Sequence, residues 1–277
     1  MTLLDFGLLV VAGFFAGLVG FVTGLASLVS YPALLAAGLP PVAANVTNTV
    51  GLVAAGIGAT ANASSELAKD GKQLVRFAAY SAIGGLVGAL VLLWAPAGSF
   101  EIVVPFLVAF AAVALLVQPR LRLLAGGPTQ GHGSGAGGTT QRHGSGAGGP
   151  AQGHGSGAGG TAQRFYPVGL FFVAIYGGYF GAGAGVIFLA LALVCTSNSM
   201  WRASILKSFF LGVANLVAAV IFAFSGEVNW LAALALGIGA FVGGYSGPPV
   251  VKVIPPTVLR IGVGLCGLGL AAWLFLK

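Results

Sequence analysis

Charged residues are scarce in this chain. Only 6% of its 277 residues are Asp, Glu, Lys or Arg, while 57% are hydrophobic; an ordinary soluble domain has roughly 25% charged residues. This leaves too little polar surface to cover a water-soluble fold. The composition therefore predicts a protein whose solvent is the lipid bilayer.

Cysteines and acidic residues are few as well. The two cysteines, Cys195 and Cys266, lie in or beside apolar stretches and form no CxxC motif, which argues against disulfides and zinc. The sequence contains no G-x-x-x-x-G-K-[ST] motif, so it gives no sign of transport driven by ATP. The apolar stretches contain no paired Asp, Ser–His or His–Glu–His set, so we expect no enzyme, no cofactor and no metal site.

The net charge of +7 comes from twelve Lys and Arg residues that are spread along the loops. No run alternates them with aromatic residues, which argues against nucleic-acid binding. The tendency of membrane proteins to carry Lys and Arg in the loops on one side of the membrane explains these residues better.

Long apolar stretches dominate the sequence. Several are close to the roughly 20 residues that a membrane helix needs. They cover residues 42–63, 74–94, 102–117, 203–224, 230–247 and 257–276.

Two further stretches, 6–38 and 165–194, are too long for one span. At about 1.5 Å per residue, each would be about 45–50 Å long, against a hydrocarbon core of about 30 Å. Each also carries closely spaced glycines: Gly17, Gly20 and Gly24 in the first, and Gly177, Gly178, Gly181, Gly183 and Gly185 in the second. This combination predicts a broken helix in each half; a tilted helix with a glycine-rich packing face is the alternative.

The order of elements repeats, with Gly20 and Gly24 corresponding to Gly181 and Gly185. If each broken element returns to its starting side, nearly all loop Lys and Arg residues share one side, as the positive-inside rule requires. We therefore expect an all-α polytopic membrane protein of two inverted repeats. Each repeat opens with a Gly-broken, re-entrant-like helix pair and continues with three membrane-spanning helices. Both termini are expected outside the cell membrane.

The predicted organisation is a first membrane repeat (1–117), a linker (118–164) and a second membrane repeat (165–277). The linker repeats His-Gly-Ser-Gly-Ala-Gly-Gly three times, a composition typical of a flexible coil. We expect a cytoplasmic tether. Metal capture by His132, His143 and His154 is the alternative, but ligands so widely spaced in a coil form no preformed site.

Polar side chains inside apolar stretches are costly unless they are paired or used. Here they concentrate near the breaks and at the start of the following span of each half. The candidate substrate-binding residues are Thr23, Gly24, Asn45, Thr47, Asn48, Thr49, Gly183, Gly185, Arg202, Ser204, Lys207, Ser208 and Asn215.

Lys207 is the most informative of these residues. No acidic residue lies in the predicted spans to pair with it, so we expect a substrate anion to act as its counter-ion, together with the positive N-terminal ends of half-helices. The alternative is that Lys207 snorkels to the interface, since Arg202 lies only one turn earlier. For Arg202, interface anchoring is at least as good an interpretation as ligand contact.

The chain also resembles a known family. Its duplicated Gly-rich elements, the stretch from Tyr176 to Val186, the turn from Ser225 to Trp230 and Gln118-Pro-Arg-Leu-Arg122 resemble the sulfite exporter TauE/SafE family. Where such proteins usually read Arg-Ala-Asn-Ala-Leu-Lys-Asn, this chain reads Arg202-Ala-Ser-Ile-Leu-Lys-Ser208. Lys207 is retained, and Ser204 and Ser208 replace amides.

The resemblance implies secondary transport of small sulfur-containing or organic anions. We therefore expect an exporter of an anion such as sulfite, sulfoacetate or a related organosulfonate, working by alternating access around a midplane site between the repeats. A passive anion channel is the alternative, and homo-oligomerisation stays open. The expected partners are the small anion and the lipid bilayer.

Overall fold

A computed structural model describes residues 1–68, 71–96, 98–124, 159–196 and 199–250, and single positions at 265, 268, 269 and 272. Over these residues the chain is helical, without strands. The helices are α1 (Leu3–Thr23), α2 (Ser27–Ala36), α3 (Pro41–Asn62), α4 (Ser64–Leu67), α5 (Gly71–Trp94), α6 (Ser99–Leu124), α7 (Gly159–Tyr179), α8 (Ala184–Cys195), α9 (Met200–Ala223) and α10 (Trp230–Val250).

Within the described ranges, five helices are long and apolar enough to cross a membrane: α1, α3, α5, α9 and α10. This confirms the all-α polytopic class. The predicted spans 42–63, 74–94, 203–224 and 230–247 match α3, α5, α9 and α10 to within a few residues. The last predicted span, 257–276, lies almost entirely outside the described residues.

Both over-long stretches are broken at glycines, as predicted, and neither is a single tilted helix. Gly24 ends α1 with φ of 86°, and Gly181 and Gly183 separate α7 from α8 with φ of 78° and 84°. Such left-handed backbone favours glycine. Gly17, Gly20, Gly177 and Gly178 remain helical, and Gly185 lies inside α8.

The two arms of each broken element differ in length. α1 and α7 have 21 residues each, whereas α2 has 10 and α8 has 12. At about 1.5 Å per residue, the first arm is roughly 32 Å long and the second only about half that. Each break therefore joins a helix of full membrane length to a half-length helix. The inverted orientation of the repeats stays a prediction.

Helices extend into both ends of the predicted linker. α6 continues to Leu124, and α7 begins at Gly159. Residues 125–158 lie outside the described residues, and so do His132, His143 and His154.

The helix contacts between the two halves are reciprocal. The opening helix of each half packs against a long helix of the other half, α1 on α10 and α7 on α5. α3 contacts α10 as α9 contacts α5, and α3 also contacts α9. Glycines permit this close backbone approach: a Cβ added at Gly239 would lie 1.8 Å from the Val10 carbonyl oxygen, and one at Gly88 would lie 2.1 Å from that of Ile175.

The centre of the molecule is a glycine contact between the two breaks. A Cβ added at Gly24 would lie 2.4 Å from the Gly185 carbonyl carbon, and one at Gly185 would lie 2.4 Å from the Gly24 Cα. These are residues that the sequence repeat matches to each other. Nearby, a Cβ at Gly56 of α3 would lie 2.8 Å from the Cα of Gly212 of α9. The halves therefore meet backbone to backbone where their helices break.

Candidate functional site

A cavity of about 80 Å³ lies where the two breaks meet, between α1, α2, α3, α7, α8 and α9. This volume accommodates several water molecules, and so a small anion. Small residues make the space, because seven of the lining residues are glycines. The polar lining consists of Ser27, Asn48, Thr49, Lys207, Ser208 and Asn215.

Lys207 is held at the end of the broken helix α1. Its Nζ donates hydrogen bonds of 2.7 Å to the backbone carbonyl oxygens of Gly20 and Phe21, and it lies 5.8 Å from the centre of the Phe21 ring. The last carbonyls of a helix lack intrahelical donors and carry partial negative charge. Lys207 therefore caps α1 from the other half of the protein.

Lys207 also has protein partners that the sequence did not predict. They include main-chain carbonyls, which a search of the sequence for acidic side chains cannot find. Snorkelling is wrong, because the residue is only 1% exposed.

The Lys207 ammonium and two helix ends bring positive charge to the cavity lining. The ammonium carries one full charge, whereas a helix C-terminus carries about half a negative charge. The half-length helices α2 and α8 begin at Ser27 and Ala184, and both residues line the cavity. Their N-terminal ends add partial positive charge. The arrangement suits an anion.

Asn215 is the amide best placed for a ligand. It lies two turns after Lys207 on α9, lines the cavity and forms no hydrogen bond with the part of the chain that is described. The hydroxyls of Ser208 and Thr49 donate to carbonyls one turn earlier in their own helices, those of Ser204 and Asn45, at 3.0 Å each. Either hydroxyl can turn from that carbonyl to an anion in the cavity.

Asn48 links α3 to the short helix α2. Its Nδ2 donates to Ser27 Oγ at 3.1 Å, and its Oδ1 accepts from Ser30 Oγ. Both ends of the amide are thus used to hold the N-terminal end of α2 at the cavity. Ser30 was missed by sequence reasoning, although its spacing from Ser27, one turn along the same helix, places both hydroxyls on one face.

Three predicted residues lie in the protein interior outside the cavity lining. Asn45 donates from Nδ2 to the carbonyl oxygen of Tyr179 at 2.9 Å. Thr47 Oγ1 accepts the backbone N–H of Asn229 at 3.0 Å. Thr23 donates to the Val19 carbonyl oxygen at 2.9 Å. Asn45 and Thr47 thus tie α3 to the second half, and Thr23 stabilises the end of α1.

Three other candidates also support the cavity from behind its lining. Ser204 supplies the carbonyl that accepts from Ser208. Gly183 precedes α8 in left-handed conformation, and Gly185 packs on Gly24. Gly24 itself lines the cavity. The structure therefore brings Lys207, Ser208, Asn215, Asn48, Thr49 and Gly24 together around one space.

Arg202 lies outside this group. It is in the first turn of α9, and its Nη1 is 3.4 Å from Glu66 Oε2 of α4, with the two side chains 26% and 37% exposed. Such partly exposed pairs contribute only about 0–1 kcal/mol. The geometry favours the interpretation of Arg202 as an anchor at the end of the helix.

Removing the Arg202 charge should therefore leave anion binding nearly unchanged. We expect Arg202→Gln to lower the free energy of unfolding by no more than about 1 kcal/mol and to keep the wild-type anion affinity. Anion-dependent thermal stabilisation of the purified protein measures both quantities. Glu66→Gln is the matched variant, and a loss of anion response in Arg202→Gln alone would return Arg202 to the binding site.

Comparisons with known proteins agree with this architecture. The family model described as "Sulfite exporter TauE/SafE" matches residues 9–274. The chain is similar to "Probable membrane transporter protein ORF9" of Sinorhizobium sp, with 24% identity over 266 residues that cover 93% of this chain and 89% of the relative. No solved structure matches significantly. The resemblance seen in the sequence is thus confirmed, and the chain is a multi-pass membrane protein that belongs to the sulfite exporter TauE/SafE family of transporters.

Proposed function

We propose that this protein is a secondary transporter of a small anion, an exporter of sulfite, sulfoacetate or a related organosulfonate. One observation carries the proposal: a cavity lies at the meeting point of the two helix breaks, with Lys207, Asn215 and the N-terminal ends of α2 and α8 around it. Broken helices whose positive ends face an anionic substrate are a known transporter design.

Alternating access suits the way the halves are joined. Residues of both halves line the cavity. The helices of each half also contact the other half in a matching pattern. Contact between the matched residues Gly24 and Gly185 supports a pseudo-two-fold relation between the halves, since only positions near such an axis meet their own equivalents. Rocking of one half against the other would then open the cavity to each side in turn.

The sidedness of the loops supports inverted repeats with both termini outside and the linker in the cytoplasm. A cysteine placed in the linker should resist impermeant thiol reagents in intact cells. Labelling of that cysteine from outside would overturn this orientation.

Cavity size favours the smallest of the proposed anions. A volume of about 80 Å³ suits a compact oxyanion such as sulfite, and a larger organosulfonate requires the walls to move. Lys207 supplies the charge, and hydroxyl and amide groups supply hydrogen bonds that strengthen when one partner is ionised.

Flux of radiolabelled sulfite into proteoliposomes tests the proposal. A carrier gives saturable uptake, and unlabelled sulfite inside the vesicles accelerates the entry of label by counterflow. Uptake that rises linearly with concentration and shows no counterflow would establish the alternative, a passive anion channel. The absence of any sulfite or sulfonate flux would overturn the proposed function.

Narrowing the cavity should discriminate among anions by size. A Cβ added at Gly177 meets only ordinary contacts, 3.6 Å from Leu211 Cδ2 and 3.8 Å from Ala184 Cβ, and Gly177 lines the cavity. We expect Gly177→Ala to fold normally and to lower sulfoacetate uptake about 10-fold or more relative to sulfite, since one methylene is worth about 10- to 200-fold in a tight pocket. Competition of each anion with labelled sulfite gives the ratio.

Gly237→Ala is the matched control for this experiment. Its added Cβ also meets only ordinary contacts, at 3.7 Å from Ala54 Cβ, but Gly237 does not line the cavity. Both substitutions favour the helix by about 0.5–1 kcal/mol. An equal change of preference in the two variants would show that the cavity does not select by size.

A further inference from the structure

We infer that Asn45 and the C-terminal end of α7 form a binding site for a monovalent cation such as Na⁺, coupled to the anion cavity. The coupling rests on the proposed function, whereas the cation site itself does not. Asn45 is fully buried at 0% exposure. Its Nδ2 donates to the Tyr179 carbonyl oxygen at 2.9 Å, and its Oδ1 has no hydrogen-bond partner in the described structure.

The end of α7 differs in charge from the end of α1. The two helices open the two halves, and each has 21 residues and a glycine break after it. At the end of α1, a residue of α9 places an ammonium group on two carbonyl oxygens. At the end of α7, Asn45 of α3 places a neutral amide on the Tyr179 carbonyl oxygen, and the last turn contains no basic side chain. The end of α1 thus receives a charged group, whereas the end of α7 receives a neutral N–H and leaves the buried Asn45 Oδ1 without a hydrogen-bond donor in the described structure.

The chemistry of these oxygen atoms selects a cation. A helix C-terminus carries about half a negative charge, and a buried acceptor without a donor is costly. Carbonyl ends of broken helices are the groups that coordinate Na⁺ in transporters. An amide does not titrate near neutral pH, so a proton cannot take this place on Asn45.

The cation site lies next to the anion cavity along the chain and across the helices. Phe180 and Gly181, which follow Tyr179, line the cavity, and so does Thr49, whose hydroxyl donates to the Asn45 carbonyl oxygen. A cation bound at Asn45 offsets the charge of an anion bound beside it. Binding of either ion therefore strengthens binding of the other by the same factor.

Thermal unfolding of the purified protein in sodium gluconate and in choline gluconate, without and with sulfite, tests the site. We expect Na⁺ to raise Tm saturably without sulfite and to lower the sulfite concentration needed for half-maximal stabilisation. Asn45→Leu should raise the half-saturating Na⁺ concentration about 10-fold or more, the loss typical of weakened metal sites. Equal Tm values in sodium and choline, or an unchanged Na⁺ response in Asn45→Leu, would overturn the inference.

Two further substitutions keep the test decisive if Asn45→Leu does not fold. Asn45→Asp retains an oxygen and adds charge, so it should bind Na⁺ more tightly. Asn45→Lys supplies a tethered ammonium as α9 does in the other half, so its Tm should be independent of Na⁺. Loss of the Na⁺ response in Asn45→Asp would count against the site.

Asn215→Ala separates the cation site from the proposed function. This variant should lose sulfite affinity and keep the Na⁺ response. A Na⁺ response without any anion response in the wild type would overturn the proposed function and leave the cation site standing. Stabilisation by the anion, together with equal Tm values in sodium and choline when sulfite is absent, would do the reverse.

Discussion

Lys207→Met should abolish the stabilisation of the protein by sulfite. The substitution keeps the length of the side chain and removes the ammonium that lines the cavity. Truncating a buried, hydrogen-bonded charge at a binding site costs about 2–5 kcal/mol or more, so we expect the half-saturating sulfite concentration to rise at least about 30-fold. Sulfite titration followed by thermal unfolding measures the shift.

The same substitution should lower stability moderately. The Phe21 carbonyl oxygen loses a donor, at a cost of roughly 1–3 kcal/mol, whereas the Gly20 carbonyl oxygen still accepts the backbone N–H of Gly24 at 2.9 Å. Lys72→Met is the matched control, because Lys72 is an exposed lysine at the start of α5. If Lys207→Met kept the wild-type sulfite affinity, Lys207 would cap helix α1 without binding the anion.

Gly24→Ala should disrupt the contact between the two helix breaks and so destabilise the protein. Left-handed backbone costs a non-glycine residue roughly 1–2 kcal/mol, and the added methyl would lie 2.4 Å from the Gly185 backbone, where overpacking costs about 1–3 kcal/mol. We expect unfolding in detergent to become easier by roughly 2–5 kcal/mol and sulfite uptake to disappear. Chemical denaturation and proteoliposome flux test the two parts.

Substitutions at two other glycines distinguish backbone strain from steric collision as the cause of the effect of Gly24→Ala. Gly38 also has a positive φ, of 88°, but a Cβ there meets nothing within 4 Å, so Gly38→Ala should show the strain alone. Gly185 lies in a helix, and its added Cβ would collide with Gly24, so Gly185→Ala should show the collision alone. If Gly38→Ala were as damaging as Gly24→Ala, contact between the breaks would not hold the halves together.

Features that depend on local composition could be predicted from the sequence. The excess length of 6–38 and 165–194 predicts the breaks because the bilayer limits the length of a helix. Which glycine bends could not be predicted: Gly17 and Gly24 are alike as letters, but Gly17 packs against α10 in helical conformation while Gly24 turns to meet Gly185. That choice depends on contacts between the halves.

The partners of polar side chains were predictable only where they are side chains. Lys207 was expected to need an anion because no acidic residue accompanies it in the predicted spans, and its observed partners include carbonyls at the end of α1. Asn45 and Lys207 both cap the opening helix of the opposite half. A linear sequence does not show this exchange, because it arises from the interlocking of two folded repeats.

The central claim is that a small anion binds in the cavity at the two breaks. A structure determined with selenite, an analogue of sulfite whose selenium is located by anomalous scattering, tests it most directly. The account predicts a selenium peak within hydrogen-bond reach of Lys207 and Asn215, beside the N-terminal ends of α2 and α8. An unoccupied cavity with the selenium bound at Arg202 or elsewhere on the surface would contradict it.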